Sequence, residues 1–213
     1  MTFAPLQTLA ATLLPHALAP VDDGAHDLSH LQRVWTNVKR IAEEEGGDLK
    51  VLLAATLLHD CVAVEKSSPL RSQASRLSAD KSREILEELD WSSPEIDAVA
   101  HAIAAHSFSA AIAPTTLEAR ILQDADRLDS LGALGVARTF YVAGRLGRVL
   151  YDPADPCASQ RDLDDSRFTL DHFETKLLHL AAGFQTPTGT RLAQIRHERL
   201  QHFRQALLEE IGQ

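Results

Sequence analysis

Two residue types that seldom share an apolar neighbourhood stand together at His59-Asp60, straight after the run "LLAATLL" of residues 52–58. Burying a charged group without a partner costs several kcal/mol, on the order of 3–5. The pair must therefore satisfy each other and nearby backbone, or hold something else. Two further residues occupy comparable positions. His30 lies one turn before Val34 on the apolar stripe of its helix, and Asp126 sits beside Ala125, between Leu122 and Leu128. A lone histidine on an apolar face is ordinarily a hydrogen-bonded core residue, and a lone aspartate there caps or pairs. Taken jointly, His30, His59, Asp60 and Asp126 on three separate helices form a ligand set for one divalent cation. Imidazole nitrogen with carboxylate oxygen suits Mn²⁺, Fe²⁺, Zn²⁺, Co²⁺ or Mg²⁺, and the absence of Cys ligands argues against a closed structural zinc. Such a set leaves coordination positions for water and substrate.

The elements that must position these residues read as helices throughout. Period-2 alternation is absent, while period 3.6 recurs from end to end. The N-terminal segment, with Leu6, Leu9 and Leu13 on one side, is a short amphipathic helix rather than a signal peptide, since it lacks a basic n-region. A helix over about 27–45 carries Leu31, Val34, Val38 and Ile41 on one stripe and stops at Gly46-Gly47. The next, about 48–60, is apolar nearly all round and reads as the central helix. Residues 62–76 read as a polar loop, with a third helix from Ser78. Ser93-Pro94-Glu95 opens a fourth, running to about His106, and Thr115 to Glu118 is a capping box for a fifth. The stretch from Gly132 continues helical with glycine interruptions. Residues 152–168 form a Pro- and Asp-rich loop. Helices over about 170–182 and 190–211, the latter with Leu192, Ile195, Phe203 and Leu207, close the chain. The expectation is an all-α helical bundle around a buried metal site, with C-terminal helices (about 166–212) packed on a core of about 20–150. A single domain spans 1–213, the 152–168 loop being the only plausible break.

Bulk properties narrow the partners. The chain has 213 residues and a net charge of −9 with no Lys/Arg-rich block, which disfavours duplex nucleic acid and anionic membranes. No stretch reaches the roughly 18 apolar residues needed to span a bilayer. Two cysteines, Cys61 and Cys157, are too few for a disulfide framework and suit a reducing cytoplasm.

The order His30 in "HDLSHLQRV", His59-Asp60 in "LLHD" and Asp126 in "LQDADRLDSLG" resembles the HD-domain metal-dependent phosphohydrolases. The segments "VEKSSPLRSQASRLSA", "IAAHSFS", "DADRLDSLGALGVAR" and "DHFETKLLHL" resemble the small bacterial branch that includes nucleotide pyrophosphatases. The resemblance spans most of residues 20–210. It implies hydrolysis of a phosphoester or phosphoanhydride, in a small phosphorylated substrate such as a (deoxy)nucleotide, by a metal-bound water. It implies one divalent ion, Mn²⁺ or Mg²⁺ first, with Co²⁺, Fe²⁺, Zn²⁺ or Ni²⁺ as alternatives.

Roles for the surrounding residues follow from that chemistry. A ligating carboxylate, Asp60 or Asp126, is also the group to orient or deprotonate the water. An acidic protein must supply phosphate-binding cations locally, and Lys66 and Arg71 in the polar loop are the candidates, with Ser75 as a hydroxyl donor. His26, four residues before His30, and Asp129, three beyond Asp126, are candidates for the second shell or the pocket. His172, Lys176 and His179 share one side of their expected helix and could line the pocket. The acidic run at Asp162–Asp165 reads as a solvated loop.

His101 and His106 raise the alternative of a second metal, as in HD-type phosphodiesterases and di-iron oxygenases. Five residues apart, they point about 140° from each other on a helix, so both cannot face one site. His106 is assigned to the pocket as a phosphate donor or proton carrier and His101 to packing, which favours one metal. A non-catalytic nucleotide-binding module is the third reading. The sequence leaves oligomeric state open.

Overall fold

The computed structural model describes residues 3–17, 27–64, 70–107 and 110–213. Among these the protein is all-α, with nine α-helices and a lone parallel bridge between Val149 and Phe168. The chain divides into two compact units, Met1–Asp126 and Arg127–Gln213. No described helix is long and apolar enough to cross a membrane.

In the first unit, α1 (Gln7–Ala17), α2 (Leu28–Glu45), α3 (Leu49–Leu58), α4 (Ala74–Glu88), α5 (Ser93–His106) and most of α6 (Leu117–Leu128) follow in order. α3 is the centre. Every residue from Val51 to Leu58 is buried, and α1, α2, α4 and α5 all pack on it. Asp48 caps its start by accepting the Lys50 N–H at 2.8 Å. α2 shows its apolar stripe to the core through Leu31, Val34, Trp35, Val38 and Ile41, and ends at Gly46 with a φ of 85°.

Three helix starts in the first unit differ from the sequence reading. α4 begins at Ala74 rather than Ser78, because its inner face starts with serines that an apolar count misses. Ser75, Ser78 and Ser82 are buried there with Ala79, Ile85 and Leu86. The Ser75 hydroxyl donates to the Ala104 carbonyl at 3.0 Å and that of Ser82 to Ala79 at 2.7 Å. α5 is capped one residue early, by Ser92, whose N–H and hydroxyl both reach Glu95 Oε2 at 3.1 and 2.6 Å. α6 is capped by the Thr116 hydroxyl, which accepts the Ala119 N–H at 3.2 Å, while Glu118 instead accepts the Asp48 N–H at 3.0 Å.

In the second unit, α7 (Gly132–Arg145) packs on α9 (Pro187–Glu210), with α8 (Asp171–Thr175) and a 3₁₀ turn over Leu177–His179 between them in sequence. Phe140, Phe173 and Phe203 form an aromatic cluster with ring centres 5.9–6.3 Å apart. α9 starts three residues before its expected onset, capped by Thr186, and buries Leu192, Ala193, Leu200 and Leu208, leaving Ile195 and Phe203 partly exposed. The helix expected over 170–182 breaks at Lys176, whose φ is −141°. His172, Lys176 and His179 therefore share no helical side.

The 152–168 segment is not a merely solvated loop. Asp171 is buried and accepts both terminal guanidinium nitrogens of Arg161, at 2.5 and 2.9 Å, and the Asp164 N–H at 2.7 Å. Asp165 takes His172 Nδ1 at 2.7 Å and the Thr175 hydroxyl at 3.0 Å.

Candidate metal centre

His30, His59, Asp60 and Asp126 are brought to one place by three different helices of the first unit. His30 is in the first turn of α2, where Asp27 fixes the helix start by accepting the His30 N–H at 3.0 Å. His59 and Asp60 follow the last turn of α3, and Asp126 is in the last turn of α6. His30 Nε2 and His59 Nε2 are 3.3 Å apart. Asp126 Oδ1 lies 3.5 Å from His30 Nε2 and 3.9 Å from His59 Nε2, and Asp60 Oδ2 is 3.6 Å from His59 Nε2. Ligand atoms of His30, His59 and Asp60 all fall within 4.8 Å of one another.

Tautomers decide what this cluster wants. His59 Nδ1 is 2.8 Å from the Thr56 carbonyl oxygen, which can only accept, so the one proton of the neutral ring is on Nδ1. Its Nε2 then presents a lone pair to His30 Nε2 and to two carboxylates. His30 Nε2 at 3.3 Å and carboxylate oxygens at 3.5–3.9 Å thus gather around one point, an electron-rich set that a cation would draw together. The donor set, two imidazoles with two carboxylates and the His59 ring oriented by the Thr56 carbonyl, fits a divalent ion. His30 and His59 are 1% and 0% exposed, whereas the side chains of Asp60 and Asp126 keep 37% and 30% of their surface. The nitrogen side is dry and the oxygen side is open to solvent.

His106 stands behind this set. Its ring packs edge-on against His59 with centres 4.9 Å apart, and Nε2 is 3.9 Å from Asp60 Oδ1. Nδ1 donates to the Ile103 carbonyl at 2.7 Å, so neutral His106 also faces the cluster with a lone pair. Burial, reinforced by His59, holds its pKa below the usual histidine value despite Asp60 and Asp126. In that tautomer the neutral ring turns an acceptor, Nε2, toward the centre. Cys61, next to Asp60, is kept out of the ligand set: burial pushes its thiol up to about 11, and Sγ donates to the Ser78 carbonyl at 3.6 Å.

The HD domain family model matches residues 27–131. The chain is 32% identical to Bacillus subtilis YpgQ over 197 residues, 89% of this chain and 86% of the relative. Among solved structures, an HD-superfamily hydrolase from Bacillus thuringiensis is similar at TM-score 0.73 and 32% identity, over 97% of this chain and 98% of that one. The structure of YpgQ in complex with ADP matches at TM-score 0.73 and 30% identity, covering 97% and 94% of the two chains. The chain belongs to the HD-domain hydrolases.

The remaining expected residues of this HD hydrolase fall into three groups. Lys66 and His26 lie outside the described residues. Arg71 opens a 3₁₀ turn, Arg71–Gln73, that leads into α4. Ser75 and Asp129 have partners in the fold: the Ser75 hydroxyl donates to the Ala104 carbonyl at 3.0 Å, and the buried Asp129 carboxylate accepts from Arg138 at 2.7 Å. His101 is a structural residue, as expected, with Nε2 accepting the Thr115 N–H at 3.1 Å. The sequence reading overlooked Asn37 and Gln123, two buried carboxamides beside the centre. The signal for Asn37 was available, since seven residues place it two turns from His30 on the same stripe.

Proposed function

We propose that this HD hydrolase is a metal-dependent phosphohydrolase acting on nucleotides, with His30, His59, Asp60 and Asp126 holding one divalent ion. The observation that carries this reading is the asymmetry of the cluster, with imidazoles sealed in the core and carboxylates at a solvent-open edge. The complex of the relative YpgQ with ADP supports a nucleotide as substrate. A divalent ion bound there lowers the pKa of a coordinated water and draws charge from phosphoryl oxygens. Asp60 and Asp126, each with an accessible carboxylate, are the groups to orient or deprotonate the attacking water. His106 Nε2, 3.9 Å from Asp60, is placed to accept a proton relayed from that side. Lys66 and Arg71 are the cations assigned to meet the phosphate in a protein of net charge −9. Two free cysteines fit a reducing cytoplasm.

The test is a screen of nucleoside and deoxynucleoside mono-, di- and triphosphates with Mn²⁺, Mg²⁺ and Co²⁺, with products identified by mass. Release of phosphate or pyrophosphate is expected, and Asp60→Ala should lose both metal and turnover. Complete inactivity with all three ions overturns the reading.

A further inference from the structure

Asp126 occupies the last turn of α6, which ends at Leu128. Carbonyls of a helix's last turn have no intrahelical N–H to accept, so such turns fray unless something else closes them. A ligand on a fraying turn cannot hold its carboxylate in register with groups on other helices. At Ala125, next to Asp126, the closing group is a side chain. Asn37 Nδ2 donates to the Ala125 carbonyl at 2.9 Å, and Asn37 is only 4% exposed. α2 thus carries one ligand, His30, and two turns later the amide that ties down the turn bearing another. The same device recurs on α5, where Gln123 Nε2 donates at 2.7 Å to the last-turn carbonyl of Ala105, beside His106.

We infer that Asn37 is a positioning residue, acting through the Ala125 carbonyl to hold Asp126 in the metal set. The inference rests on the ligand assignment proposed above. Asn37→Leu keeps the branched four-heavy-atom shape of the side chain and removes the donor. Outer-shell partners of this kind are worth about 10–100-fold in metal affinity. Mn²⁺ binding to the full chain by calorimetry, with Mn²⁺ alone as the probe, should weaken by that factor. Ser82→Ala is the control. It deletes another buried hydrogen bond of the first unit, to Ala79 at 2.7 Å, and should leave Mn²⁺ affinity unchanged. With Mn²⁺ raised to saturation, Asn37→Leu should recover wild-type kcat at an unchanged substrate KM.

A folded Asn37→Leu protein with wild-type affinity, or equal losses in Asn37→Leu and Ser82→Ala, overturns the inference. Should Asn37→Leu fail to fold, Asn37→Ser, too short to reach Ala125, provides the same comparison. Wild-type protein that binds Mn²⁺ but hydrolyses no nucleotide overturns only the proposed activity. Wild-type protein that binds no divalent ion overturns both.

Discussion

Gly135→Ala sets two effects of opposite sign against each other. In an isolated helix the change is favourable, because alanine exceeds glycine in helix propensity by about 1 kcal/mol. At Gly135 a Cβ would lie 2.3 Å from the Ser130 carbonyl oxygen and 2.6 Å from its carbon. Both obstacles are backbone, so no side chain can swing away. The chain doubles back here, with Gly135 N–H donating to the Leu131 carbonyl at 3.3 Å, and relief requires moving the start of α7 off the 129–131 turn. Overpacking of this kind costs about 1–3 kcal/mol, and a backbone obstacle puts it at the upper end. The net expectation is a loss of about 2 kcal/mol, or roughly 4–8 °C in Tm for a chain of this size. Gly144→Ala, in the same helix, provides the reference. Nothing lies within 4 Å of its Cβ position, so the propensity gain is unopposed and stability should rise by about 0.5–1 kcal/mol. Urea unfolding followed by far-UV circular dichroism checks both, since the two tryptophans, 35 and 91, lie in the other unit. Equal or greater stability of Gly135→Ala would refute the steric argument.

Two further outcomes are expected. Mn²⁺ at about 100 times its Kd should stabilise the folded chain by about 2.7 kcal/mol, raising Tm by roughly 5–11 °C, and Asp126→Ala should abolish the rise in a melting scan. Arg161→Ala should destabilise the second unit with a definite pH dependence. Burial pushes the Asp171 carboxyl up, but hydrogen bonds from Arg161 and Asp164 more than offset this and hold it below its usual value. The pair's contribution is therefore present above the unfolded carboxyl pKa and lost as pH falls through the folded one. Unfolding curves should show the deficit of Arg161→Ala at full size near neutrality and narrowing only below about pH 4; a deficit that does not change with pH would refute the assignment.

How much was legible in the sequence depended on whether apolar periodicity carried the information. α2 and α3 were readable because leucine, valine and isoleucine mark the buried face and Asp27, Asp48 and Gly46 mark the ends. The four ligand candidates were readable because each interrupts such a face. The start of α4 was not, because Ser75, Ser78 and Ser82 bury polar groups that find their partners only in the folded chain. The run Asp162–Asp165 misled for the same reason: nothing local announces that Arg161 turns back onto Asp171 or that Asp165 meets His172. The hydrogen bonds of Ser75, Asp129 and His106, to Ala104, Arg138 and Ile103, are likewise ones that spacing does not encode.

The way the helices meet the centre gives the proposed chemistry an order. His59-Asp60 extends the C-terminus of α3, His106 ends α5, and Asp126 is in the last turn of α6. Each C-terminus carries partial negative charge, worth about 0.3–1 kcal/mol toward a nearby cation. Three such ends, two carboxylates and imidazole lone pairs locked by Thr56 and Ile103 make a trap for positive charge. The same features repel a phosphate, in a protein whose overall charge is already −9. Under the proposed reading a nucleotide therefore cannot approach the apo centre productively. Metal binding should precede substrate binding and be independent of it, whereas nucleotide affinity should collapse when the metal is chelated.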